Sequence, residues 1–254
     1  MSVLGEFEVI CEIEPATMPD LVRVRHQIGV LSAITSRFLI PDNHIGRATV
    51  SSIAVAHEVA LMGGRAVASL NARDRNVLGF RRDLLTAAAY GVDEFLFVYG
   101  DRPETGRRSD DLTVRSMLQQ ARTFDERLRL GVSTRLTELP AWKREADFLF
   151  VQVSFSLEQL MAWRRDTHFD GPVYAGVLVV PSPGTARKLT SQVPQLAVPP
   201  TIVEALESDP TAGVKIACDL VQSIRDSGAF DGVHLIPINR ARETVRQLEA
   251  RGML

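Results

Sequence analysis

Short apolar runs and helically spaced apolar residues alternate along this chain almost without a break. Apolar runs bounded by turn residues read as buried strands, and apolar residues at i, i+3, i+4 and i+7 read as amphipathic helices. Strands are predicted at Glu8–Ile13, Arg37–Ile40, Arg65–Leu70, Glu94–Tyr99, Arg129–Ser133, Asp147–Gln152, Val173–Val179 and Gly232–Pro237. Helices are predicted near Leu21–Ile34, Val50–Leu61, Val77–Tyr90, Thr113–Phe124, Leu157–Arg165, Thr185–Thr190, Thr211–Ser227 and Ala241–Ala250. The fifth crossover, Thr134 to Ala146, has room for only a turn or two of helix. Eight strands with helical crossovers predict a parallel sheet, and eight is the number that closes a (β/α)8 TIM barrel. An open doubly wound sheet is the rival, but no G-x-G-x-x-G follows the first strand. A single barrel domain over residues 1–254 is expected. The proline-rich Val193–Pro200 and Ser208–Pro210 fall in an extended loop with a short helix, between strands seven and eight.

Composition narrows the function classes. The net charge is −2, and Arg107-Arg108 is followed by Asp110-Asp111, so no basic stripe points to nucleic acid. The first residues lack a basic region and carry acids within their apolar run, unlike a signal peptide. No run of roughly 18 apolar residues exists to span a membrane, so a soluble, cytoplasmic protein is expected. Cys11 and Cys218, far apart in a strand and a helix, read as reduced core residues. Subunit number stays open, a homo-oligomer included.

In barrels, chemistry sits at the carboxyl ends of the strands. The fourth strand ends in Tyr99-Gly100-Asp101, a turn glycine followed by a carboxylate. The first strand alternates Val9, Cys11, Ile13 against Ile10, Glu12, Glu14, which aims Glu12 into the barrel. An enclosed carboxyl suits a general acid, or equally an internal ion pair with an arginine. Gln152 closes strand six in register with Phe148 and Phe150; its amide could meet a heterocycle edge or neighbouring backbone. Asn71-Ala72-Arg73-Asp74-Arg75-Asn76 could bind a phosphate or carboxylate, or be a solvated loop in which Asn76 caps the next helix. Asp42-Asn43-His44 and Asn239-Arg240 are further polar segments on that face, Arg240 being suited to an anionic substrate end. The five histidines show no metal spacing; His57 on a helix and His234 within strand eight read as packed or surface residues. No G-x-S-x-G elbow supports hydrolase chemistry.

Taken in order, Glu12-Ile13-Glu14-Pro15, Pro41-Asp42-Asn43, Ala72-Arg73-Asp74-Arg75-Asn76, Gly100-Asp101-Arg102-Pro103, Phe150-Val151-Gln152 and Ile238-Asn239-Arg240-Ala241 resemble the methylenetetrahydrofolate reductase family over essentially the whole chain. The resemblance implies a (β/α)8 barrel holding FAD at its carboxyl face. NADH or NADPH would reduce the flavin, which then reduces methylenetetrahydrofolate. It implies Glu12 as the acid that opens the folate's five-membered ring, Asp101 near flavin and pterin, and Gln152 and Arg240 on the folate. Asp42, Asn43, Ser69, Asn71, Tyr99, Gly100 and Asp101 would line the cofactor.

Several segments depart from the family pattern. Ser69 stands where the family has a histidine, and Gly131 to Leu136 replaces a Y-P-E-x-H segment. Pro140 to Asp147 shortens the next helix, and Pro183 and Ile236 occupy positions of folate-flanking aromatics. These segments normally grip FAD or folate. Two expectations of different class follow. One is a methylenetetrahydropterin reductase holding flavin differently, or taking hydride directly from nicotinamide or a deazaflavin; the other is a non-catalytic folate- or partner-binding paralogue.

Overall fold

The computed structural model describes residues 7–14, 16–192 and 196–253. Pro15 and three residues of the proline-rich segment, 193–195, lie outside them. Eight parallel strands form a closed barrel in sequence order: β1 (Glu8–Glu12), β2 (Arg37–Ile40), β3 (Arg65–Asn71), β4 (Glu94–Val98), β5 (Arg129–Thr134), β6 (Phe148–Val151), β7 (Val173–Leu178) and β8 (Gly232–Ile236). The ring shuts where β1 pairs with β8 at Ile10↔His234 and Cys11↔Leu235. The helices α1 (Val22–Leu31), α2 (Ser52–Leu61), α3 (Val77–Ala89), α4 (Val114–Phe124) and α5 (Leu157–Asp166) cross between strands, and α9 (Ala241–Ala250) follows β8. The fifth crossover is a 3-10 turn at Ala141–Glu145, as its length requires.

The predicted fold is therefore correct, and strand starts and ends differ by no more than a residue or so. Between β7 and β8 lie the two predicted helices, α6 (Pro183–Gln192) and α8 (Ala212–Ser227), and a third that was not predicted, α7 (Pro200–Ser208). Pro200 lies in the first turn of α7, where a missing N–H costs nothing. Pro199 and Pro200 thus mark a helix start within what was expected to be an extended loop with a short helix. Val180, Ala186, Val198, Ile202, Leu206 and Ala212 give these helices a small core of their own.

Strand alternation sorts side chains into two populations. Val9, Cys11, Phe38, Ile40, Val132 and Leu149 pack outward against helices. Ile10, Leu39, Val67, Leu96, Phe148, Phe150 and Tyr174 fill the barrel interior. Gly131 makes this filling fit, since a Cβ there would sit 1.9 Å from the Phe148 ring. Cys11 and Cys218 are free and buried; burial pushes both thiols up, Cys218 to about 11, which leaves them unreactive.

Beneath the apolar layer, at the amino ends of the strands, lies an ion network. Arg37, buried at 2% exposure, donates to Glu94 through Nε and Nη2 and to Glu8 (2.6 Å) and Tyr174 Oη (2.8 Å) through Nη1. The Tyr174 hydroxyl donates to Glu8 (2.8 Å). The layer closes one end of the barrel.

Candidate active site

The strand parity that buries Ile10 also turns Glu12 inward, two residues nearer the carboxyl end. Its carboxylate Oε2 lies 3.0 Å from His234 Nε2. The two side chains are only 12% and 11% exposed. His234 Nε2 is buried and, despite this short distance, has no hydrogen-bond partner among the described residues. The contact is therefore close but not aligned. On its other side the imidazole meets Phe150, ring centroids 5.2 Å apart. Gln152 follows Phe150 at the same parity, half-buried, with its backbone N–H donated to Thr134. It stands on the wall of a cavity of about 400 Å3, together with Arg135, Ser154, Gln159 and Leu196. Glu12, His234 and Phe150 are thus in one chain of contacts inside the barrel, with Gln152 beyond Phe150 on the cavity wall.

His234 is packed, one of the two expected readings, but its place beside Glu12 is what sequence reasoning missed. Its signal was present: Val233 and Leu235 on either side pack outward, which forces His234 inward. What the chain alone withholds is that β8 closes against β1, which brings the histidine beside Glu12.

The cofactor-lining candidates sit elsewhere on the rim, and most spend their polar groups on one another. Asp42 accepts from the Asn71 backbone (2.9 Å), the Asn71 amide (2.7 Å) and Arg75. Asn71 and Asn43 both donate to Asp74. Arg75 also donates to Asp83 (2.8 Å); burial works against its charge, but Asp42 and Asp83 together hold it above the ordinary arginine value. Asn76 caps α3 by accepting from Gly79 N–H, the safer of its two expected roles. Ser69 is buried on the inward face of β3, and its carbonyl accepts from Ser52. Gly100 has φ 93, and a Cβ there would meet the Asn71 side chain at 2.9 Å. Two needs, backbone and packing, call for glycine at that position.

Asp101 is bonded to the loop after β2. Its Oδ2 accepts from Ile45 N–H (2.9 Å). That loop holds Asn43, Ile45 and Gly46 all at positive φ, and a β-branched residue at φ 59 is strained. The Asp101 carboxylate braces it, as does the Glu104 N–H bonded to Gly46 O. Tyr99 is 42% exposed, with guanidinium groups against its ring. Arg240 donates to Glu243 and to Pro181 O (3.2 Å each), tying the loop after β7 to α9. The structure sets Glu12 beside His234 and Gln152 on the cavity wall, joins Asp42, Asn43 and Asn71 through Asp74 and Arg75, and bonds Asp101 to the loop after β2.

No cluster of three or more possible metal ligands occurs among the described residues. Nor is any helix among them long and apolar enough to cross a membrane.

Comparisons with known proteins agree with this fold. An uncharacterized protein from Clostridium thermocellum, described as binding two copies of 5-methyl-5,6,7,8-tetrahydrofolic acid, has the same fold: TM-score 0.71, 11% identity, covering 98% of this chain and 97% of that one. Tryptophan synthase from M. tuberculosis is more distant, at TM-score 0.54 and 15% identity over 98% and 93% of the two chains. No curated protein sequence matches. Residues 141–252 match the methylenetetrahydrofolate reductase family, a span that contains Gln152, His234 and Arg240. That carboxyl-terminal segment, less than half of the chain, is what is similar to the methylenetetrahydrofolate reductases.

Proposed function

We propose that the barrel mouth binds a reduced folate and that Glu12 is the proton donor in reducing a methylene-bridged folate to the methyl form. The observation that carries this reading is the enclosed Glu12 carboxyl beside His234. A carboxyl there can hold a proton and deliver it in a water-poor setting. Protonating one nitrogen of the folate's five-membered ring breaks its bond to the bridging carbon and leaves an iminium. Hydride from a donor then converts that carbon to methyl, so one proton and one hydride balance the step. Gln152, on the cavity wall, can donate to and accept from the edge of a pterin. Supporting the ligand class are the family match over 141–252 and the folate bound by the Clostridium thermocellum barrel.

The residues present do not fit FAD well. Asp42, Asn43 and Asn71 are engaged with Asp74 and Arg75, and Asp101 with Ile45. We therefore route no step through flavin. In this reading a reduced nicotinamide or deazaflavin is a second substrate and gives hydride directly. A second reading, folate binding without turnover, draws on the same replaced flavin segments.

Tetrahydrofolate titration followed by a methylene-to-methyl conversion assay, with NADH, NADPH or a reduced deazaflavin, separates these. Glu12→Gln should bind folate within about twofold of wild type and lose roughly 10²–10⁴ in rate. A fully active Glu12→Gln enzyme would refute the acid assignment. Tight folate binding with no conversion by any donor leaves the binder, and absence of binding removes both readings.

A further inference from the structure

The loop after β3 carries two arginines with opposite fates. Arg75 is consumed by Asp42, Asp83 and the Asn71 carbonyl. Arg73 has buried Nε and Nη1 atoms with no acceptor among the described residues. The neighbouring Asp74 gives its carboxylate to Asn43 and Asn71 instead. Backbone bonds fix Arg73 in place: its N–H donates to Tyr99 O (3.1 Å), and its carbonyl accepts from Ser109 N–H (2.7 Å).

Arg73 is stacked over the Tyr99 ring, 5.0 Å from the centroid, and Arg108 lies over the same ring at 5.0 Å. The two guanidinium groups are thus no more than about 10 Å apart, and they repel. Among the described residues Arg108 has one ion pair, an exposed one with Asp110, worth little. A buried charged donor left without an acceptor is costly, and native proteins rarely keep one without a use. A guanidinium fork matches a carboxylate or phosphate with two parallel N–H bonds.

We propose that Arg73 and Arg108, mounted on Tyr99 at the carboxyl ends of β3 and β4, form a binding site for an oxyanion. Its ligand is the phosphate or carboxylate end of a small molecule. The site uses neither Glu12 nor Gln152 and does not depend on the folate reading.

Isothermal titration of the whole protein with inorganic pyrophosphate, and separately with γ-glutamylglutamate, tests this. At least one probe should bind wild type, with affinity that weakens as salt rises. Arg73→Gln should weaken it at least tenfold and Arg108→Gln about threefold, while Arg246→Gln on α9 leaves it unchanged. Should Arg73→Gln not fold, Arg73→Lys keeps the charge without the fork and should still lose severalfold. Preference for pyrophosphate identifies a phosphate ligand, and preference for the dipeptide a carboxylate tail. Failure of both probes to bind wild type, or binding indifferent to Arg73 and Arg108, overturns the site whatever the folate titration shows.

Discussion

The two ends of the barrel interior hold the same kinds of residue in opposite states. At the amino end, Arg37 is matched by Glu94, Glu8 and Tyr174. Burial works against its charge, yet these neighbours hold its pKa above the ordinary value. At the carboxyl end, Glu12 and His234 are close and enclosed, but His234 Nε2 is left without a hydrogen bond. A closed polar network specifies the fold, while an incomplete one is available to a ligand. The presence of buried charge does not by itself mark a site; unfinished bonding does.

The comparison breaks most readily at Arg37. Arg37→Met leaves the buried Glu94 only the longer pair with Arg129 (3.7 Å) and should cost about 3–5 kcal/mol of stability, read from urea unfolding. Glu12→Gln, at the other end, should stay within about 1 kcal/mol of wild type, because little there is bonded to lose. Equal losses at both ends would erase the distinction. Arg37→Met combined with Glu94→Leu should recover much of the loss, since an apolar replacement leaves no unpaired charge in that pair.

Gly100→Ala comes next. A side chain at φ 93, pressed against Asn71, should cost about 1–3 kcal/mol. The damage would fall on the rim network of Asp42, Asn71 and Asp74, detectable as faster amide exchange at Asn71 and Asp74. An unchanged melting curve would show that the rim bends freely.

His234→Phe keeps the ring against Phe150 but removes the nitrogen beside Glu12. If His234 positions the carboxyl, the rate of methylene reduction should drop about tenfold, some 1.4 kcal/mol, with KM for folate unchanged. A rise in KM alone would make His234 part of the folate wall instead.

The sequence made the fold legible because eight alternations of strand and helix leave few ways to pack. It also gave Glu12 its direction, since Cys11 and Ile13 could only face helices. Ring closure was harder to see. The Ile10↔His234 pairing joins residues at opposite ends of the chain, and nothing local announces it. The rim was hard to read for a different reason. Asp42, Asn71, Asp74 and Arg75 have the composition of a ligand site, and only coordinates reveal that they satisfy one another. Arg73 and Arg75, two residues apart in one motif, could not be told apart until their partners were known.

The smallest expected effect tests the closed end by pH. Burial pushes the Tyr174 hydroxyl up to about 12, against Arg37, which pulls the other way. In the unfolded chain a tyrosine ionises near 10. Between those values the folded state keeps a proton that the unfolded state has given up, so stability falls as pH rises. The contribution is whole below pH 10 and lost on approaching 12. Tyr174→Phe cannot titrate. At neutral pH it should be less stable by about 1 kcal/mol, from the lost bonds to Glu8 and Arg37. That deficit should shrink steadily above pH 10, because only the wild type loses ground there. Parallel unfolding curves from pH 9 to 11.5 would mean the hydroxyl is solvated in the folded state, and the amino end would be no more closed than the mouth.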